Sequence, residues 1–227
     1  MTDVGERLAA ALARIARAAS ACGREPRDVK LIAVSKTQPA AAIREAYAAG
    51  QRAFGENYAQ ELDTKASELA DLRDLEWHFI GHLQSNKAKL VVKAARVLHT
   101  VDSPSLARAF GRRAAEVGGA RRGVLIEVNV GAEPQKFGVA PGEIAEVMAA
   151  VSEEPALALM GLMTVPPAGG PDVARRVFET LATLRSLHGG TAQLPELSMG
   201  MSGDLEEAIA CGATMVRVGS AIFGERC

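Results

Sequence analysis

The sequence predicts an α/β fold: a single (β/α)8 TIM barrel with an extra N-terminal helix, one domain spanning residues 1–227. Short β-rich runs alternate with helical patterns from one end to the other. There are eight such runs. No low-complexity linker divides the chain, and its length is ordinary for one barrel. The runner-up is an open doubly wound sheet, but the G-x-G-x-x-G expected after its first strand is missing, and edge strands are usually more polar than these runs.

The predicted strands are "LIAVS" (31–35), "RAFGE" (52–56), "WHFIG" (77–81), "VLHTVD" (97–102), "VLIEVNV" (124–130), "LALMGLMTV" (157–165), "ELSMG" (196–200) and "TMVRVG" (214–219). Helical periodicity covers 39–49, 57–71, 85–95, 103–117, 141–153, 171–187 and 203–211, after a first helix over about 3–21. Start signals support several of these: Pro39 and Pro141 near first turns, Asp102 or Ser103 before Pro104, and Gly203-Asp204 before the last helix.

Bulk composition excludes several functions. With 48% hydrophobic and 23% charged residues the chain belongs to the soluble globular class. A net charge of −1 leaves no electrostatic footprint for nucleic acid. Cys22, Cys211 and Cys227 are scattered and form no CxxC, which argues against a disulfide framework or a zinc site and for reduced thiols in the cytoplasm. The N-terminal segment carries charge throughout, so it reads as an amphipathic helix and not as a signal peptide or membrane span. The histidines show no metal-ligand spacing; His82, at a barrel mouth, is expected to stabilise a loop.

In a barrel, function collects where strands end and βα loops begin. Lys36 follows the first strand and shares its inward face with Ile32 and Val34. A partly neutral amine in such a place is the nucleophile that a Schiff base requires. The alternative is a lysine whose stem lies on apolar surface with its head in water. Arg217, inside "TMVRVG", needs a partner because guanidinium keeps its proton; either a strand carboxylate such as Glu127 or a ligand would serve. The loops "SMGMSGD" and "VGSAIFG" supply small residues, hydroxyls and free backbone N–H groups after strands seven and eight, a frequent phosphate site in this architecture. An imine-forming lysine, a phosphate cup and an arginine together suggest pyridoxal 5′-phosphate (PLP). A Schiff-base aldolase acting on a phosphosugar would use a similar pair.

Five motifs in order, "AVSKTQP", "FGENYAQE", "WHFIGHLQSNK", "LSMGMSGD" and "TMVRVGSAIFG", resemble the YggS/PROSC family of pyridoxal phosphate homeostasis proteins across essentially the whole chain. The resemblance implies a fold-type III PLP barrel, similar to the N-terminal domain of alanine racemase, with PLP held covalently as an aldimine on Lys36. Carried across by motif, Asn57 lies beside the cofactor ring, Arg217 faces the pyridine nitrogen, and His78 and Ile80 line the ring pocket. Ser198, Ser202, Gly219 and Ser220, with Met199 or Gly200 nearby, hold the phosphate. Gly203 departs from the family's usual "GMSDD", which removes the first acid but not the cup.

An arginine at the pyridine nitrogen keeps that nitrogen unprotonated and weakens carbanion chemistry. No second acid/base residue is evident: Tyr47 lies in a helical stretch, Tyr58 is expected to pack its ring over a helix, and a chain ending at Cys227 leaves no room for a racemase's second domain. The expectation is a cytoplasmic, monomeric PLP carrier without turnover, with apo PLP-dependent enzymes as acceptors and no catalytic or metal-binding residues. An amino-acid racemase or lyase is the enzyme alternative, and the aldolase a more distant one.

Overall fold

The computed structural model describes residues 3–224. Eight parallel strands close into a barrel in chain order: β1 (Lys30–Val34), β2 (Ala53–Glu56), β3 (Glu76–Phe79), β4 (Ala95–Val101), β5 (Arg122–Glu127), β6 (Leu157–Met163), β7 (Glu196–Ser198) and β8 (Met215–Val218). β8 pairs with β1, setting Ile32 beside Arg217. Closure leaves no sheet edge, so every strand is covered on both faces.

Each strand is followed by helix: α1 (Val4–Ala21) precedes β1, and α2 (Ala40–Ala48), α3 (Ala59–Glu68), α4 (Ala88–Ala94), α5 (Pro104–Val117), α6 (Ile144–Ser152) and α7 (Pro171–Leu187) lie between successive strands. The short α8 (Gly190–Gln193), α9 (Leu205–Ala210) and α10 (Ser220–Phe223) complete the ring. The predicted elements are present in the predicted order, and α8 and α10 are additions too short for periodicity to reveal. Ser103 is the cap of α5, its hydroxyl accepting the Leu106 N–H, with Pro104 in the first turn. β7 ends two residues earlier than expected because Gly200 takes φ +93°, a value incompatible with strand. Cys227 lies outside the described residues; Cys22 and Cys211 are free thiols.

Two apolar layers hold the barrel. The larger lies between sheet and helices and includes the fully buried Phe54, Phe79, Phe110 and Phe178, each worth about 2–3 kcal/mol of burial. The smaller fills the interior, where Ile32, Ala53 and Met215 meet Met160, which also touches Val97, Leu125 and Met163. α1 packs on α2, α9 and α10, and its Arg14 reaches the loop after β7, donating to Ser202 O at 2.7 Å. No described helix is long and apolar enough to cross a membrane.

β6 approaches β7 so closely that a Cβ on Gly161 would lie 1.8 Å from Glu196 O. Gly161→Ala is therefore expected to destabilise the chain by about 3 kcal/mol through overpacking, read as a lowered urea midpoint at unchanged slope. Gly142→Ala, where nothing lies within 4 Å of the added carbon, should stay within about 0.5 kcal/mol of the parent.

Candidate cofactor site at the barrel mouth

The C-terminal strand ends bring four chemically distinct pieces together. The first is the turn after β1, where Lys36 stands half-buried between the fully buried Ser35 and the exposed Thr37. Its ammonium enters none of the ion pairs found among the described residues. The turn is braced from outside the barrel. Lys65, buried on α3, donates to Ser35 O at 2.6 Å and to Glu56 Oε1 and Glu61 Oε1 at 2.7 Å each. Burial pushes the Glu56 carboxyl up, while hydrogen bonds from Lys65 and from the Ser35 hydroxyl pull it down.

The second piece is the end of β2 and β3. A Cβ on Gly81 would sit 2.1 Å from Asn57 O, so glycine is what lets the Asn57 backbone cross the end of β3. Asn57 Oδ1 is buried and accepts no hydrogen bond from the protein. Ile80 leans over the same spot, with its Cδ1 3.1 Å from where a Cβ on Gly55 would be.

The third is Arg217, on the inner side of β8. It does not pair with Glu127. Nη1 donates to Ser198 Oγ at 2.7 Å and Nη2 to Thr164 O at 3.0 Å. Burial draws the guanidinium down to about 10, opposed by the charges of Glu127 and Asp204, so it stays protonated at neutral pH. Below it runs a chain of fully buried groups: His99 Nδ1 lies 2.9 Å from Ser198 Oγ, and His99 Nε2 lies 2.7 Å from His78 Nδ1. His78 Nε2 faces Glu76 Oε1 at 3.5 Å, and Glu76 binds Lys30 at 2.5 Å.

The charge of Glu76 favours one tautomer order along this chain. In that order Ser198 Oγ accepts from Arg217 and gives its proton to His99 Nδ1, and His99 carries its hydrogen on Nε2 and donates it to His78 Nδ1. His78 then turns Nε2–H toward the Glu76 carboxylate, which at 3.5 Å is too far for a hydrogen bond, whereas the reverse order would set a lone pair against a negative charge. Burial lowers both histidines below their ordinary range, so both are neutral. The neighbouring His78 and Lys30 hold the Glu76 carboxyl down to about 2.

The fourth piece is the pair of loops after β7 and β8. Arg217 N donates to Gly200 O at 2.9 Å, tying the loop after β7 to strand β8. Gly219 lies against Val34, its notional Cβ 3.1 Å from Val34 O, which sets this loop beside the turn that carries Lys36. Asp204 Oδ1 accepts from Met201 N at 2.6 Å, so this acid organises the loop from the position after Gly203.

Of the residues singled out in the sequence, Lys36, Asn57, Ile80, Gly200, Ser202, Arg217, Gly219 and Ser220 lie at the strand ends or in the loops that leave them. His78 and Ser198 lie in the barrel interior, Ser198 Oγ between Arg217 and His99 and His78 Nδ1 against His99, while His78 Nε2 is buried without a hydrogen-bond partner. The Met199 side chain packs outward into the layer between barrel and helices, leaving its backbone for the loop. Tyr58 is exposed and caps α3 without packing its ring, unlike the sequence expectation. His82 does stabilise its loop: Nδ1 is 3.1 Å from Asp102 Oδ2 and the ring stacks on Phe137 at 3.6 Å. Lys65, Glu61 and His99 were not legible as site residues, although a histidine inside the "VLHTV" run is a signal that could have been followed. Of two shallow depressions, one of about 530 Å³ lies at the opposite end of the barrel beside Glu76, and one of about 360 Å³ lies between α2 and α3 on the outer side of the Lys36 turn.

Orphaned buried polar atoms on Asn57 and Glu127, a lysine outside the ion pairs and a buried arginine fit a polar ring compound that carries an aldehyde and a phosphate. The profile of the alanine racemase N-terminal domain family matches residues 7–227. The chain is 44% identical to the pyridoxal phosphate homeostasis protein of Escherichia coli, covering 100% of this chain and 98% of that one. It is 45% identical to the protein of the same name from Pseudomonas aeruginosa, covering 100% and 97%. Among solved structures, PipY of Synechococcus elongatus with PLP bound superposes with a TM-score of 0.81 at 39% identity, covering 97% of this chain and all of that one. Alanine racemase from Corynebacterium glutamicum, at 23% identity and a TM-score of 0.65, shares the fold over 62% of its own length. With a family profile over residues 7–227 and full-length relatives at this identity, the chain belongs to the alanine racemase N-terminal domain family and, within it, to the pyridoxal phosphate homeostasis proteins.

Proposed function

We propose that this chain binds pyridoxal 5′-phosphate for intracellular PLP homeostasis, holds it reversibly on Lys36 and releases it unchanged to apo PLP-dependent enzymes. The observation that carries the reading is the convergence at one barrel mouth of Lys36, the buried Arg217 and the loops 199–204 and 219–220. PipY, solved with PLP bound, supports it. The group supplies an aldehyde: the Lys36 amine adds to it, one water leaves, and the resulting Schiff base returns to free amine and aldehyde on hydrolysis. The phosphate falls to the backbone N–H groups and hydroxyls of Ser202, Gly219 and Ser220, with Gly200 shaping the loop. Asn57 and Ile80 lie beside the ring, and Arg217 stands at its nitrogen. His78 and Ser198 serve the ring site through Arg217, whose orientation their hydrogen-bonded chain determines.

Absence of turnover rests on the same residues. A guanidinium that keeps its proton donates to a ring nitrogen and leaves it unprotonated, which weakens the ring as an electron sink. Both core histidines are neutral and committed to each other, so neither is a mobile acid at the mouth. Glu127 is the one observation favouring residual amino-acid chemistry of the racemase type: burial and the nearby Asp102 push its carboxyl up to about 7, against the pull of Arg217, and its Oε2 is buried without a partner. The chain is proposed to act as a cytoplasmic monomer and one domain.

Borohydride reduction after incubation with PLP should place a pyridoxyl group on Lys36 in peptide mapping; Lys36→Ala should lose it at an unchanged melting temperature. A parent protein that stays colourless with PLP would refute the reading, and α-proton exchange of L-amino acids in deuterated water would favour the racemase. Ser198→Ala leaves Arg217 Nη1 and His99 Nδ1 unpaired, with an expected loss of about 2 kcal/mol in urea unfolding and weaker PLP retention. Because the folded pKa of Glu127 lies above its unfolded value near 4.5, the native state binds the extra proton and stability falls as pH rises from about 4.5 through about 7. Glu127→Gln should flatten that slope and stabilise the chain by about 2 kcal/mol at pH 8, measured by urea titration across pH.

A further inference from the structure

We propose that Lys65 is a positioning residue that, through Glu56 and Glu61, sets the geometry of the turn carrying Lys36; the inference rests on the reading of Lys36 as the covalent anchor. A lysine has three N–H donors, and all three of Lys65 are spent within this cluster, on Ser35 O, Glu56 Oε1 and Glu61 Oε1. Each of those carboxylate oxygens also grips the turn: Glu56 Oε1 accepts the Ser35 hydroxyl at 2.6 Å, and Glu61 Oε1 accepts the Thr37 N–H at 2.6 Å. The two residues flanking Lys36 are thus clamped by one ammonium and its two carboxylate arms.

The clamp is more than a buried ion pair between strand and helix. Ser35 is engaged at every polar atom, since its N–H also donates to Gly55 O at 3.0 Å and its carbonyl also accepts from Gln38 N at 3.0 Å. Thr37 sits at φ +63°, a left-handed value that a β-branched residue adopts only when its surroundings compel it. Holding one flank fully and forcing the other into a disfavoured conformation fixes the direction in which residue 36 leaves the backbone. Attack of an amine on an aldehyde is sensitive to such placement, and a misplacement of about 1 Å can cost a hundredfold.

The test measures attachment of PLP, and separately of pyridoxal, which lacks the phosphate, by rapid-mixing absorbance well below the melting transition. Borohydride and peptide mapping confirm the site. Glu56→Gln with Lys65→Met removes both buried charges together, so no lone carboxylate is left inside the protein. This double variant should attach both aldehydes at least about tenfold more slowly, by the same factor for each, because the phosphate loops are untouched. Lys65→Arg, which keeps a cation in the clamp, should recover part of the rate. Glu61→Gln, at the exposed edge of the cluster, should slow attachment several-fold while folding normally and keeps the test valid if the double variant is unstable. Parent-like rates in a folded double variant or in Glu61→Gln would overturn the positioning role, as would slowing of PLP alone. A parent protein labelled elsewhere than Lys36 would instead overturn the anchor reading and the proposal with it.

Discussion

A guanidinium in the middle of a barrel cannot lose its charge and cannot move to water. Arg217 meets this constraint without a carboxylate contact. It uses a strand carbonyl and a serine hydroxyl, and the serine passes the polarity on through two neutral histidines to an acid at the other end of the barrel. Glu127 and Asp204 act on Arg217 through space, and Glu76 at the barrel floor is paired with Lys30. Replacing Ser198 with an apolar side chain takes this partner from Arg217 Nη1 and His99 Nδ1 at once, which couples the two ends of the line.

Two polar systems therefore organise an otherwise apolar barrel, one inside and one outside. The inner line sets where Arg217 points. The outer cluster of Lys65, Glu56 and Glu61 sets where the β1 turn points. Between them, α1 braces the β7 loop through Arg14 and Ser202 O, and Gly219 packs on Val34. The mouth is assembled from strand ends, but its precision comes from groups one layer away, the arrangement expected of a site that must hold a ligand in one pose.

The barrel was legible because parallel strands covered on both faces read as apolar runs, and turn and cap residues separate them. Lys36 and Arg217 stood out because charges interrupt such runs. The outer cluster was hidden for the same physical reason: on a strand buried on both faces, alternation does not tell which side Glu56 takes, and a lysine four residues after Glu61 on a helix reads as a solvated pair. His99 and Ser198 are 99 positions apart, and only the closed register of the sheet brings them together. Tyr58 was misread because its ring had to be assigned a side before the entry angle of α3 was known.

Thr37 carries a further consequence. A left-handed threonine is not a conformation that "SKTQP" would choose alone; it is imposed by an acid on a helix 24 positions later. The shape of the lysine-bearing turn is thus borrowed from its neighbour and is not encoded in its own letters. Grafting these five residues onto another barrel would carry over the lysine but not its aim, and any redesign of this turn has to begin on α3.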